Sequence, residues 1–102
     1  MSYTIIWQPT ALNTYVEEVD FIFLKWNFKE VQKFHDLVIE NLERLSKNPE
    51  IGTFNNKFNT CSIVLSKQTT LYYNFNSDTK IIDLYAFWNN LKNPDDLSKL
   101  LK

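Results

Sequence analysis

With 102 residues, 44% of them apolar and 16% aromatic, the chain can bury one hydrophobic core over roughly 65% of its unfolded surface and is too short for two, so a single domain over residues 1–102 is expected. A formal net charge of -1, from 11 basic and 12 acidic residues with Arg44 the only arginine, argues against a broad nucleic-acid groove, which favours a basic domain and bidentate arginines. One cysteine, Cys61, excludes an internal disulfide; with no charged-then-apolar leader at Met1 to Pro9 and no apolar run longer than Phe21 to Leu24, a reducing cytoplasm and no membrane insertion are expected.

Tyr3 to Trp7 is a short β-branched and aromatic run closed by Gln8-Pro9, which predicts a first strand. From Ala11 the period changes. Leu12, Tyr15, Val16, Val19, Ile22, Phe23 and Trp26 recur at helical spacing, predicting a helix from Ala11 to Trp26, capped by Thr10, that buries this stripe. Phe21 and Leu24 widen the stripe beyond one flat contact, so the helix either packs on two sides or keeps an apolar strip free for a partner. Asn27 to Glu30 has capping-box spacing and starts a second helix, Phe28 to Ser46. Its inward stripe is Val31, Phe34, Val38, Leu42 and Leu45, and Glu40 with Arg44 and Glu43 with Lys47 form ion pairs on the solvated side. Asn48-Pro49 stops it. The short connection between the helices makes an antiparallel hairpin laid over a sheet.

After Gly52, the only glycine, the period falls to two. Thr53 to Phe58, Thr60 to Ser66, Thr70 to Phe75 and Lys80 to Trp88 are predicted strands, with turns near Asn59, Lys67-Gln68 and Asn76-Ser77-Asp78 short enough to make neighbours antiparallel. The last is expected in the sheet interior, with Ile82, Leu84, Ala86 and Trp88 on one face and Ile81, Asp83, Tyr85 and Phe87 on the other, and with Asp83 in need of a partner. Asn93 caps a final short helix entered through Pro94, with Asp95 and Asp96 in its first turn and Leu97, Leu100 and Leu101 on its apolar face. The expected fold is α+β, a mostly antiparallel sheet with an α-helical hairpin packed on one face, in the order βααββββα.

His35 is the only histidine and has no Ser or Cys nucleophile at a recognisable spacing; it reads as a boundary residue of its helix, and Cys61 as a buried, inert thiol. A single glycine leaves no phosphate-cradling loop, and no pattern calls for a metal or a cofactor. Lys57, Lys67 and the Tyr72-Tyr73 pair could hold a phosphate and a base on neighbouring strands, although lysine and tyrosine are ordinary turn and strand residues.

The element order, taken with Ile6-Trp7, Ala11-Leu12, Trp26, Phe34, Leu45, Asn48-Pro49-Glu50-Ile51-Gly52, Val64 to Lys67, Leu71-Tyr72-Tyr73, and Phe87-Trp88-Asn89 to Asn93-Pro94 with Leu97, resembles the RelE/ParE superfamily of toxins. These belong to bacterial type II toxin–antitoxin modules and include plasmid stabilisation proteins. The resemblance implies a small sheet under a helical hairpin, a toxin role, and a cognate antitoxin that wraps the chain. Relatives carry arginine at or next to Cys61, at Asn74 and at Leu91, and several carry a Tyr or His near the C-terminus; this chain has none of these arginines, and no Tyr or His follows Tyr85. A RelE-like, ribosome-dependent mRNA endoribonuclease needs a basic cluster on the scissile phosphate and a group to take the 2′-hydroxyl proton, roles that would fall here to Lys57, Lys67 and Tyr73. A ParE-like toxin, with DNA gyrase as the implied target, acts by binding and needs no such set, so the missing arginines favour it over the enzyme. The alternatives are the ribonuclease on ribosome-bound mRNA and a decayed member that keeps only antitoxin binding or self-association. Because the chain is nearly neutral, the antitoxin contact is expected to be mainly apolar, through Tyr73, Tyr85, Trp88, Leu91, Lys92 and Leu97, the bland alternative being that Trp88 and Leu97 close the domain's own core.

Overall fold

The alternating runs become strands and the two long amphipathic stretches become helices. In the computed structural model, which describes Ser2 to Leu101, the order is β1 (Thr4–Trp7), α1 (Pro9–Lys25), α2 (Phe28–Lys47), a 3-10 turn (Pro49–Ile51), β2 (Thr53–Asn55), β3 (Thr60–Val64), β4 (Thr69–Asn76), β5 (Ile81–Asn89) and α3 (Pro94–Leu100). Met1 and Lys102, the ends of the expected domain, lie outside the described residues. One sheet in the order β1-β5-β4-β3-β2 is antiparallel except for β1, which runs parallel to β5, and α1 and α2 cover one of its faces: an α+β fold.

Strand β5 lies inside the sheet, between β1 and β4, but its alternation breaks. Tyr72 pairs with Ala86 and Tyr73 with Leu84, so Tyr85 is an extra residue on β5, a bulge that shifts the phase of everything after it. Paired residues share a face, so Phe87, opposite Leu71, joins Ile82 and Leu84 beneath the helices, while Ala86 and Trp88 turn to the other face. The expected grouping of Ile82, Leu84, Ala86 and Trp88 is corrected accordingly. Asp83 finds its partner in Gln8, whose Nε2 donates to Oδ1 at 2.8 Å.

The second helix follows its sequence pattern. Asn27 Oδ1 accepts the Glu30 N–H at 3.1 Å, and Phe34, Val38, Leu42 and Leu45 are buried with Val31 beside them. Lys47 pairs with Glu43 at 3.4 Å, whereas Arg44 turns from the expected Glu40 to donate to Asn41 Oδ1 at 3.1 Å. The first helix departs from its pattern. It begins at Pro9, which needs no N–H partner in the first turn, and Thr10 is not its cap. It buries Ala11, Thr14, Glu18 and Ile22 and leaves Leu12, Val16, Phe23 and Trp26 about half exposed. Strand β1 leaves the sheet after Trp7, which opens the flank of β5 beyond Leu84, and α1 fills it at close range. Thr14 Oγ1 accepts the Phe87 N–H at 2.9 Å, and Glu18 Oε2 accepts the Thr69 hydroxyl at 2.7 Å. Small and polar residues are required at that contact, because a buried N–H or hydroxyl without a partner is costly. Trp7, Tyr15, Phe34 and Phe87 complete the core as an aromatic cluster with ring centroids 5.2 to 5.8 Å apart.

Gly52 holds the far side of the core together. Its backbone is extended (φ -79, ψ 179), so it is needed for space rather than for an unusual conformation. A Cβ there would collide with the Tyr73 hydroxyl and the Ser62 carbonyl. That hydroxyl donates to Pro49 O at 2.6 Å and accepts the Gly52 N–H at 3.2 Å, tying β4 to the turn that follows α2. Gly52→Ala is expected to destabilise the fold by about 1–3 kcal/mol, as overpacking of a filled site does, seen as a lower urea midpoint with unchanged slope.

Candidate functional site

The three candidates for phosphate chemistry do not converge. Lys57 stands in the β2–β3 turn, where Asn55 Oδ1 accepts the N–H groups of Lys57 at 2.9 Å and Phe58 at 3.3 Å and so ends β2 earlier than its sequence pattern predicts. Lys67 stands in the β3–β4 turn, its carbonyl accepting from Asn90 Nδ2 at 3.2 Å. The five residues of β3 separate the two turns, about 14–17 Å of strand. Tyr73 pairs with Cys61 between them, but its side chain is fully buried beneath the helices and its hydroxyl is engaged by Pro49 and Gly52. Tyr72 is half-buried on the opposite face, edge-on to Phe58 with centroids 6.3 Å apart. Among the described residues no group of three or more His, Cys, Asp or Glu could hold a metal ion.

The candidates for partner contact divide by burial. Tyr73, Trp88 and Leu97 are buried, which takes all three out of the surface open to another molecule. Tyr85, Leu91 and Lys92 remain accessible. Half-buried Tyr85, set by the bulge, shares a cleft of about 320 Å³ with the β1–α1 junction at Gln8 to Thr10 and with Leu100 and Leu101, so α3 lies against this edge. Leu91 is 74% exposed in a turn fixed by Asn89, whose Oδ1 accepts its N–H at 2.9 Å. Lys92 reaches Glu17 at 3.4 Å and sits 5.6 Å above the Trp88 ring. Leu91, Lys92 and Asn89 face Phe21 and Glu17 across a second cleft of about 260 Å³.

Glu18, which the sequence pattern does not single out, is a buried carboxylate, while the exposed apolar residues of α1 and α2 form an outer surface on the hairpin, the free strip that the width of the α1 stripe allowed for. Glu18 could have been found from the series Ala11, Thr14, Glu18, Ile22, which has the same helical spacing as the more apolar stripe beside it. His35 is exposed, and its Nδ1 lies 2.6 Å from the Tyr15 hydroxyl.

Burial governs the perturbed titrations. It raises the Cys61 thiol and the Tyr15 and Tyr72 phenols above their ordinary values. Burial, with neighbouring Cys61 as the second cause, pushes the Tyr73 phenol up to about 12, while the hydrogen bond from Gly52 pulls the other way. A neutral buried phenol favours the folded chain only while the unfolded chain also keeps its proton, so this contribution is full below pH 10.0 and is lost as pH rises towards about 12. Urea midpoints measured from pH 8 upwards should therefore begin to fall above pH 9, where the raised Cys61 thiol contributes, and fall further above pH 10, this second fall being less steep in Tyr73→Phe.

No protein-family model matches the chain, and no curated protein does. No helix among the described residues is long and apolar enough to cross a membrane. Among solved structures, a chain of the toxin–antitoxin complex RelBE2 from Mycobacterium tuberculosis superposes with a TM-score of 0.61 at 16% sequence identity, over 88% of this chain and 100% of that one. The chain therefore has the fold that its resemblance to RelE/ParE toxins implied.

Proposed function

We propose that this chain is the toxin of a toxin–antitoxin pair and that it acts by binding a protein target, with DNA gyrase the first candidate, rather than by cutting RNA. The fold shared with a chain of the RelBE2 complex supports the toxin role and a cognate antitoxin as partner. The observation that favours binding over catalysis is the dispersal of Lys57, Lys67 and Tyr73. General acid and base must lie within hydrogen-bond reach of one scissile phosphate, and two lysines at opposite ends of β3 with a tyrosine on the covered face cannot do so together. A binding toxin needs only a shaped, accessible surface.

The antitoxin contact runs through the accessible members of the expected set. Tyr85 and Leu91 are its apolar anchors, each beside a cleft that an inserted side chain can fill, and Lys92 is a rim charge already partnered by Glu17. Expression of the chain should arrest growth, and co-expression of the small reading frame beside its gene should relieve the arrest; no growth defect with or without that neighbour would leave only the decayed member. With the purified antitoxin, Leu91→Ala and Tyr85→Ala should each weaken binding roughly tenfold or more, with little dependence on salt, whereas Lys92→Ala should mainly slow association. Affinity that collapses with salt and ignores both apolar substitutions would contradict this surface.

A further inference from the structure

Along α1, Leu12, Val16, Val19 and Phe23 follow one another at spacings of four, three and four residues, the repeat of a helix that packs lengthwise on another helix. Val19 is half-buried against the core, but Leu12, Val16 and Phe23 lie outside the side that the fold covers, since α1 packs inward mainly through Ala11, Thr14, Glu18 and Ile22. Leu12, Val16 and Phe23, with Phe28 and Ile39 of α2, are each 49–67% exposed, and a groove of about 340 Å³ opens between Leu12 and Ile39 over Tyr15 and His35. Together these residues leave roughly 500 Å² of apolar surface in water, within the size range at which a monomer's largest patch is often functional.

We infer that this strip is the contact between two copies of the chain, α1 against α1 in antiparallel orientation. A two-fold contact must be self-complementary, and the strip is. With the axis between positions 17 and 18, Leu12 meets the partner's Phe23 and Val16 meets the partner's Val19, each pairing occurring twice, so the bulky aromatic ring always faces an aliphatic side chain. Asn13 and Asp20 are exposed and flank the strip one heptad apart, and in the same register each amide comes within two residues of the partner's carboxylate. Glu17, the exposed charge nearest the axis, is held by Lys92 at 3.4 Å, which limits repulsion there. With Phe28 and Ile39 of the flanking α2 drawn into the contact, two such patches bury about 1,000 Å² before any rim is counted, the area that a specific interface should clear. The inference does not depend on the toxin reading.

Sedimentation equilibrium of the full chain over a concentration series tests it. Twice the monomer mass is expected for the unmodified chain and for Leu24→Glu, an exposed position outside the strip, and the monomer mass is expected for Val16→Glu and Phe23→Glu with unchanged circular dichroism. A monomer at every concentration, or a dimer that survives both substitutions, overturns the inference. Should either glutamate unfold the chain, Leu12→Cys and Phe23→Cys provide the second measurement. Under mild oxidation their mixture should give a covalent dimer that neither gives alone; no covalent dimer in the mixture, or as much from each variant by itself, overturns the inference equally. A monomeric chain whose strip variants lose antitoxin binding instead would assign the strip to the antitoxin, sinking the dimer while leaving the toxin reading intact.

Discussion

Between Leu84 and Ala86, strand β5 takes one residue more than β4 beside it, and that residue, Tyr85, reverses the alternation of everything that follows. Phe87 and Asn89 are carried beneath the helices and Trp88 to the other face, where Ala86 and Leu97 are also buried outside the main core. Because β1 departs at the same level, the Phe87 N–H faces an open flank and Thr14 takes it. That bond and the one from the Thr69 hydroxyl to Glu18 both need the Thr14–Glu18 side of α1 to point inward. The helix must approach closely enough for Ala11 and Thr14 to lie against the strand, and its most apolar side is rotated out towards solvent.

The same constraint explains which parts of the structure could be read from residues. Helix α2 was legible in its cap and buried stripe, because Asn27 and the run from Val31 to Leu45 agree with each other and no second stripe competes; only the Arg44 pairing differs. Asn93 and Pro94 announced α3 as plainly, and Asn93 Oδ1 accepts the Asp95 N–H at 3.0 Å. In α1, two stripes overlap: Tyr15, Val19 and Ile22 of the apolar one pack against the core, but Leu12, Val16, Phe23 and Trp26 turn outward in favour of Ala11, Thr14 and Glu18. The buried stripe contains a threonine and a glutamate whose partners, Phe87 and Thr69, lie more than fifty residues away, and no local pattern encodes such a pairing. The bulge is hidden for a related reason: an extra residue exists only relative to the neighbouring strand.

The candidate site was legible in part. That Lys57 and Lys67 stand at opposite ends of β3 follows from the predicted turns, but the fate of Tyr73 depends on which face the helices cover and on the space left by Gly52. Trp88, a natural anchor by residue type, is lost to the interior through the phase change at Tyr85. The exposed apolar residues lie on the hairpin and in the Leu91 turn, and the candidate lysines Lys57 and Lys67 stand apart at the two ends of β3. Such a surface suits association with other proteins better than it suits holding a phosphodiester in a transition state, which calls for preorganised positive charge.

The claim that the chain acts by binding is tested most directly by mapping the 5′ ends of transcripts in cells expressing it. Growth arrest with no new cleavage sites in translated messages, equally strong in Lys57→Ala and Lys67→Ala, is the result predicted here. New cleavage within messages, abolished together with the arrest by either lysine substitution, would contradict it.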